Sequence, residues 1–345
     1  MAKAGSLAVY TGSHFAVDFA CGYLLNAAYA SGLFGASAAV GAFLAYNTLA
    51  FGLQSLFGAL WDGHDPRVPG TAGCVLLFPA LLLAGKSLPA MVVLAGLGNA
   101  LFHVAGGMDS LLRAGGKQWR SGVFVSSGAL GISTGCLAGK LKAVPSPAVM
   151  AAVLVCVAAV ILLGRPSGKN DAPPYAGKSG HANAPWLAVG LCLVSIVIRS
   201  WAGFLLILDW KRGIFLTLLP AAAAFMGKLM GGFAADALGG RTVGVAALLI
   251  SLPLLVFGSG VPALCALGLA IFNMTMPVTL CAVAGRLPGR EGFAFGLTTL
   301  ALLVGYLLSL TAPLPAGAVR PVPAAAILSS AICLFFAVPG GRAEA

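Results

Sequence analysis

The sequence predicts an all-α integral membrane protein of about 12 transmembrane helices, each of roughly 20 residues, in two pseudo-symmetric six-helix bundles. Three observations carry this. The chain is 59% hydrophobic and 8% charged, with mean hydropathy +0.99, whereas soluble domains carry roughly 25% charged residues; a soluble fold could not hide so much apolar surface. The charges that exist fall between long apolar runs. And a small loop pattern occurs twice: Phe57-Gly58-Ala59-Leu60-Trp61-Asp62, closing at Arg67, returns as Gly231-Gly232-Phe233-Ala234-Ala235-Asp236, closing at Arg241. Gly58, Asp62 and Arg67 each precede Gly232, Asp236 and Arg241 by 174 positions in a chain of 345, close to half its length, which is the mark of an internal duplication.

The elements follow from where charge interrupts the apolar runs. Residues 4–61 carry one formal charge, Asp18, and hold two helices around a turn from Asn26 to Ser37. Single spans fit 70–85, 87–108, 121–139 and 143–164. In the second half, 186–208 carries only Arg199 and 213–235 only Lys228. The uncharged run 242–285 divides at Gly258-Ser259-Gly260 into two spans, and 292–312 and 321–339 complete the set. Between the halves, the segment from Arg165 to Pro185 is polar, rich in Gly and Pro and without periodicity, so it reads as a flexible linker. The expected division is a bundle over 1–165, a cytoplasmic linker over 166–185 and a bundle over 186–345.

A net charge of +11 raises the question of nucleic acid, but there is no basic run and no basic-aromatic interleaving, so no nucleic-acid partner is expected. Topology explains the excess. With the N-terminus in the cytoplasm, 12 of the 20 Lys and Arg residues fall on the cytoplasmic side, 6 outside and 2 within spans, the bias of the positive-inside rule. A multi-pass protein of the cell membrane with both termini cytoplasmic is the expectation, with a monomer as its unit. No cleavable signal peptide is evident, because the first apolar run is long and carries both an Asp and a His. The 8 cysteines show no C-x-x-C pair or metal-finger spacing and mostly sit in apolar runs, where they act as small apolar side chains. No cofactor is expected.

Six plus six helices, a central polar segment and a Gly-Asp-Arg loop after the second helix of each half resemble the major facilitator superfamily. The loop has a physical role. Its glycines let helices approach closely, while the Asp can cap a helix N-terminus and pair with a nearby Arg. Asp62, Arg67, Asp236 and Arg241 are therefore candidate gating residues. Finer features resemble the fosmidomycin-resistance-like branch: Ser13-His14-Phe15 with Asp18 in the first span, Gly96-Leu97-Gly98-Asn99-Ala100-Leu101-Phe102-His103 in the fourth, the glycine-rich run Gly128 to Gly139, and Leu287-Pro288-Gly289-Arg290 before the eleventh span. Val104 and Ala105 depart from that branch, which commonly has Pro and then an acidic residue there. The resemblance implies transport, with export favoured, and carries no cargo identity.

Ionisable groups at membrane depth are costly and mark cavities, relays or partners. Asp18 lies near mid-bilayer if its helix starts around Leu7, and His14 is one turn earlier on the same face. A proton site is the functional reading; a structural carboxylate is the alternative. His103, near Asn99, reads either as a hydrogen-bonded core histidine or as a relay, and the match to the branch motif favours substrate or proton handling. Asn273 follows Asn99 by 174 positions and is its candidate equivalent, with interhelical polar glue as the alternative. Arg199 keeps its charge at any accessible pH and needs an anion, either a carboxylate such as Asp18 or one on a substrate. Lys228 either joins it or snorkels to the cytoplasm, about 12 Å away at 1.5 Å per residue. Asp109 and Arg113, four apart, are a helix-end pair or part of an inner gate.

These residues point to a secondary active transporter using alternating access, with protons as coupling ion and a small anionic or zwitterionic solute or antibiotic bridging the halves. A divalent-metal carrier using His14 and Asp18, with Cys21 one turn on, is the rival reading, opposed by the cations Arg199 and Lys228. A non-coupled facilitator is a further alternative. An enzyme is not expected: no nucleophile-base set, phosphate loop or H-E-x-x-H occurs.

Overall fold

In the computed structural model, which describes residues 2–32, 35–141, 147–164, 185–311 and 314–340, these residues form twelve membrane-length or shorter apolar helices. The first half holds α1 (Ala2–Ser31), α2 (Ala36–Asn47, continued through a π-helical turn at Thr48–Gly52 into Gln54–Trp61), α3 (Arg67–Leu82), α4 (Leu88–Leu112), α5 (Trp119–Leu141) and α6 (Pro147–Leu163). The second holds α7 (Pro185–Phe204), α8 (Gly213–Leu238), α9 (Gly240–Val256), α10 (Pro262–Asn273 and Thr275–Ala284, broken at Met274), α11 (Glu291–Ser309) and α12 (Pro321–Ala337). Seven are long and apolar enough to cross a bilayer, and α3, α6, α9 and α12 are shorter apolar helices. The burial pattern is inverted relative to a soluble protein. Phe215, Leu163 and Phe336 are exposed, while Asp18, Asn99, Gln54 and Arg199 are buried, as lipid solvation requires.

The expected boundaries shift where polar side chains satisfy themselves inside a helix. The turn expected from Asn26 begins only after Ser31, because Asn26 Nδ2 donates to the Gly22 carbonyl and Ser31 Oγ to that of Ala28. Helix α4 runs past 108 to Leu112, with Ser110 Oγ donating to the Gly107 carbonyl and Arg113 reaching back to Asp109. Helix α7 stops at Phe204, short of 208, where Trp210 in the following segment donates its indole N–H to the Ser259 carbonyl. The expected linker lies outside the described residues except for Pro185, the first residue of α7.

The row Gly128, Gly131, Gly135 and Gly139 places α5 directly on α1. A Cβ on Gly131 would fall 2.5 Å from the Phe15 carbonyl oxygen, and one on Gly139 2.6 Å from that of Tyr23. Backbones this close leave only side chains already on α1 to fill the seam. Within the halves, α1 packs on α5, α4 and α6, and α7 on α11, α12 and α10. The main contacts between halves come from α2, α4 and α5 on one side and α8, α10 and α11 on the other, concentrated at the end that carries the two loop motifs.

Candidate transport site and gate

Three helices of the first half bring His14, Asp18, Asn99 and His103 into one buried cluster. His14 and Asp18 share a face of α1 because they are four residues apart; Asn99 and His103 do the same on α4. His14 Nε2 lies 3.2 Å from Asp18 Oδ2, His103 Nε2 3.5 Å from Asp18 Oδ1, and the two Nε2 atoms 2.9 Å from each other. Asn99 Nδ2 donates to Asp18 Oδ1 at 3.0 Å. The far side of each ring is also held, His14 Nδ1 at 2.8 Å from the Phe124 carbonyl oxygen and His103 Nδ1 at 2.9 Å from that of Asn99. The His14 ring stacks on Phe124 with centroids 4.6 Å apart, and Phe124 lies 6.0 Å from Phe295 of α11. The cluster thus rests on an aromatic pair that spans the two halves. Gly128 of α5 leaves the space: a Cβ there would collide with His14 Nε2 and would sit 2.5 Å from Asp18 Oδ2.

The second half presents a cluster of opposite character. Arg199 is buried and donates from Nε to the Ser195 carbonyl, from Nη1 to Thr275 Oγ1 and from Nη2 to Thr279 Oγ1, the last at 3.0 Å. Both threonine hydroxyls in turn donate to α10 carbonyls. No carboxylate lies within 4.0 Å of the guanidinium among the described residues, and Asp18 is engaged with the two imidazoles instead. A buried ion left without a counter-charge costs several kcal/mol, and hydroxyl dipoles offset only part of that. By the 174-residue offset, Thr275 and Thr279 correspond to Leu101 and Ala105, which flank His103. The guanidinium thus rests on α10 positions whose counterparts in α4 flank His103. Sequence spacing singles out Arg199 but neither threonine, since nothing local distinguishes the two from helix-internal hydroxyls.

Lys228 of α8 is half-buried and has no carboxylate within 4.0 Å among the described residues. Asn273 stands apart from these groups in its bonding: its Nδ2 donates to the Leu269 carbonyl one turn back, so its equivalence to Asn99 is one of position and not of partners.

At the motif end the two halves are cross-braced. Asp62 accepts from the backbone N–H groups of Gly292 (2.6 Å) and Phe293 (3.1 Å) at the start of α11. Asp236 accepts from those of Gln118 (2.7 Å) and Trp119 (3.0 Å) at the start of α5. These donors have no partner within their own helix, and each N-terminus favours negative charge. Burial raises the Asp62 carboxyl above the usual range, and the two N–H groups oppose that. The glycines match the braces. A Cβ on Gly58 would collide with the Gly292 backbone, and one on Gly232 would fall 2.7 Å from Trp119 Cα.

The motif arginines do not pair with these aspartates. Arg67 binds Asp65 at 2.7 Å and donates to the Gly164 carbonyl after α6 at 2.6 Å. Arg241 donates to the Val338 carbonyl after α12 at 2.6 Å, with its guanidinium 5.3 Å from the Phe335 ring centre. Each Arg therefore ties together its own half while each Asp reaches across to the other. Asp109 and Arg113 form a buried pair at 2.8 Å, with Ser6 Oγ donating to the other Asp109 oxygen at 3.1 Å. This pair fastens α4 to the start of α1 and, being buried, is not a solvated helix-end contact.

No protein-family model and no curated protein sequence matches the chain. Solved structures do. A variant of the E. coli fucose:proton symporter FucP superposes with TM-score 0.71 at 14% identity, covering 99% of this chain and 100% of that one. FucP described as a Major Facilitator Superfamily transporter in the outward conformation gives TM-score 0.63 at 14% identity, covering 96% and 100%. With twelve helices in two six-helix halves cross-braced at the repeated loop, this chain has the fold of the major facilitator superfamily transporters.

Proposed function

We propose that the protein is a secondary active transporter that moves a small anionic or zwitterionic solute by alternating access, coupled to protons. The observation that carries this reading is the pair of unlike buried clusters, one in each half: an acid-imidazole group on α1 and α4, and on α7 an arginine with no carboxylate within 4.0 Å among the described residues. A solute anion would meet Arg199, and the Thr275 and Thr279 hydroxyls would hold the guanidinium fork in place for a carboxylate or phosphonate. Asp62 and Asp236 close the motif end, which the Lys and Arg distribution assigns to the cytoplasm. The braced conformation then has its solute path from the outer side, and rocking opens the inner side once the braces part. The motif resemblance to the resistance branch favours export. A neighbour titled a fucose:proton symporter supports proton coupling as a chemistry that this fold accommodates.

The experiment is thermal stability of the purified protein against a library of small anions, amino acids, phosphonates, sugars and divalent metals at two pH values. Stabilisation by an anion that is lost in Arg199→Gln supports the reading and supplies a solute for flux assays in liposomes, where direction and proton dependence are read. Stabilisation by neutral sugars that survives Arg199→Gln overturns the anion assignment. A divalent ion is the rival occupant of the His14, Asp18 and His103 group, whose donor atoms lie within 4.8 Å of one another. Stabilisation by metals alone, lost in His14→Ala, would replace the solute reading with ion transport.

A further inference from the structure

The segment after α7 forms one wall of a cavity at the membrane boundary opposite the braces. Gly213 and Asp236 stand near the two ends of α8, about 35 Å apart at 1.5 Å per residue, so the roughly 30 Å hydrocarbon core of a bilayer fits between them. The cavity, about 790 Å³ in volume, lies between residues 205–212, the turn joining α9 to α10 and the start of α12. Trp210 fixes the wall by donating its indole N–H to the Ser259 carbonyl at 2.8 Å, and an indole is suited to the headgroup level of a membrane. Buried Leu255, Val256 and Pro323 make an apolar floor.

The rim is charged. Asp209, Arg212 and Arg320 all line the cavity and are exposed, and none of the three makes an ion pair within 4.0 Å among the described residues. Arg212 and Arg320 each immediately precede a helix, α8 and α12, and neither helix has a side-chain cap bond there. The N-terminal end of a helix disfavours a cation. Two arginines at two such ends, lining one cavity, are compensated by an anion placed between them. Around the charges the surface is apolar, with Ile207, Phe215 and Phe257 exposed. A water-soluble anion has no use for such surroundings, whereas an amphiphile matches both the charged rim and the apolar floor.

We propose that this cavity binds a phospholipid whose headgroup ends in a hydrogen-bond donor, as phosphoethanolamine does. Arg212 and Arg320 take the phosphate, Asp209 accepts from the ammonium, and the upper part of an acyl chain covers Leu255, Val256 and Pro323. Arginine suits the phosphate because its planar fork can give two parallel N–H bonds to two oxygens. Asp209 supplies the headgroup selectivity, since a quaternary ammonium has no N–H to give it. The site lies within the second half, and none of its residues belongs to the buried clusters or the braces.

The test is native mass spectrometry of the detergent-solubilised full chain, titrated with palmitoyl-oleoyl phosphatidylethanolamine and with its phosphatidylcholine counterpart of the same chains. The ethanolamine lipid should bind the more tightly, by about fivefold. Arg212→Gln and Arg320→Gln should each weaken it by about tenfold, the size of one lost charge-assisted hydrogen bond. Lys211→Gln, next to the rim but outside the lining, should leave binding unchanged. Asp209→Ala should abolish the preference for ethanolamine over choline while both lipids still bind. Should one arginine variant not fold, the other reads the same contact. Undiminished binding in the arginine variants overturns the site, and equal binding of the two lipids by the unaltered chain overturns the role of Asp209. Displacement of the lipid by equimolar O-phosphoethanolamine or inorganic phosphate would make this a site for soluble anions and overturn the lipid assignment. No transported solute enters the measurement, so its outcome is independent of the Arg199 test.

Discussion

Asp62 and Asp236 bind across the molecule in the same way: each carboxylate accepts two backbone N–H bonds from the start of a helix in the opposite half. They are 174 residues apart, and so are their donors, Gln118 from Gly292 and Trp119 from Phe293. The tethers within each half obey the same offset, since Arg67 and Arg241 donate to the carbonyls of Gly164 and Val338. The 174-residue offset therefore holds for a two-fold set of contacts, not merely for a loop sequence.

Removing charge from one latch should open the motif end without unfolding the protein. A carboxylate at a helix N-terminus is worth about 0.5–2 kcal/mol, so Asp62→Asn or Asp236→Asn should raise the open population by about 2- to 30-fold. The two together should exceed either alone. Thiol labelling of a cysteine introduced beneath the braces measures this, and equal labelling in wild type and the double variant would remove the gate assignment.

The glycines that allow the braces should be less forgiving. Gly232→Ala pushes a methyl group towards Trp119 Cα and the Gln118 carbonyl oxygen, which a Cβ would meet at 2.7 and 2.9 Å. Overpacking of this kind costs about 1–3 kcal/mol. Gly12→Ala, with nothing within 4 Å of its Cβ, is the matched control. A lower unfolding temperature for Gly232→Ala and none for Gly12→Ala is the expected calorimetric result.

Thr275→Val and Thr279→Val each delete one acceptor for the buried Arg199 guanidinium. Leaving a buried charged donor unsatisfied costs about 1–3 kcal/mol. The two variants should lose stability in the absence of ligand and regain part of it on binding an anion, because the anion takes up the freed donors. Arg199→Gln should lose the anion response altogether. Paired thermal scans with and without the stabilising anion decide the point.

The Arg67 pair gives a pH signature. Burial pushes the Asp65 carboxyl up, but its bonds to Arg67 outweigh that and hold it below the usual carboxylate range. A lowered folded-state value means that the contribution is present above the ordinary Asp value near 3.9 and is lost as pH falls through the folded-state value. Both side chains are partly exposed, so its size is at most about 1 kcal/mol. Arg67→Gln should flatten this acid limb of the stability profile, and an unchanged limb would assign it to other carboxylates.

Much of this is legible in the sequence. Lipid as solvent follows from composition, because so few charges cannot cover a soluble surface. The two-half plan follows from a repeated loop, since a motif of ten residues keeps its spacing whatever the chain between does. His14 with Asp18, and Asn99 with His103, share helix faces by the i, i+4 rule alone. Local sequence also explains what could be misplaced: Asn26 suggested a turn, but a side-chain amide bonded to its own helix can continue it.

The tertiary structure decided which partner each charge takes. Sequence spacing is blind to this, because the partners come from other helices, brought close by glycine seams whose geometry depends on both surfaces at once. Asp18 faces two imidazoles and not Arg199, Arg199 rests among threonines, and the motif aspartates cap distant helices while the motif arginines bind their own halves. Periodicity is a property of one helix and fixes which face is polar; pairing is a property of two, and only packing sets it.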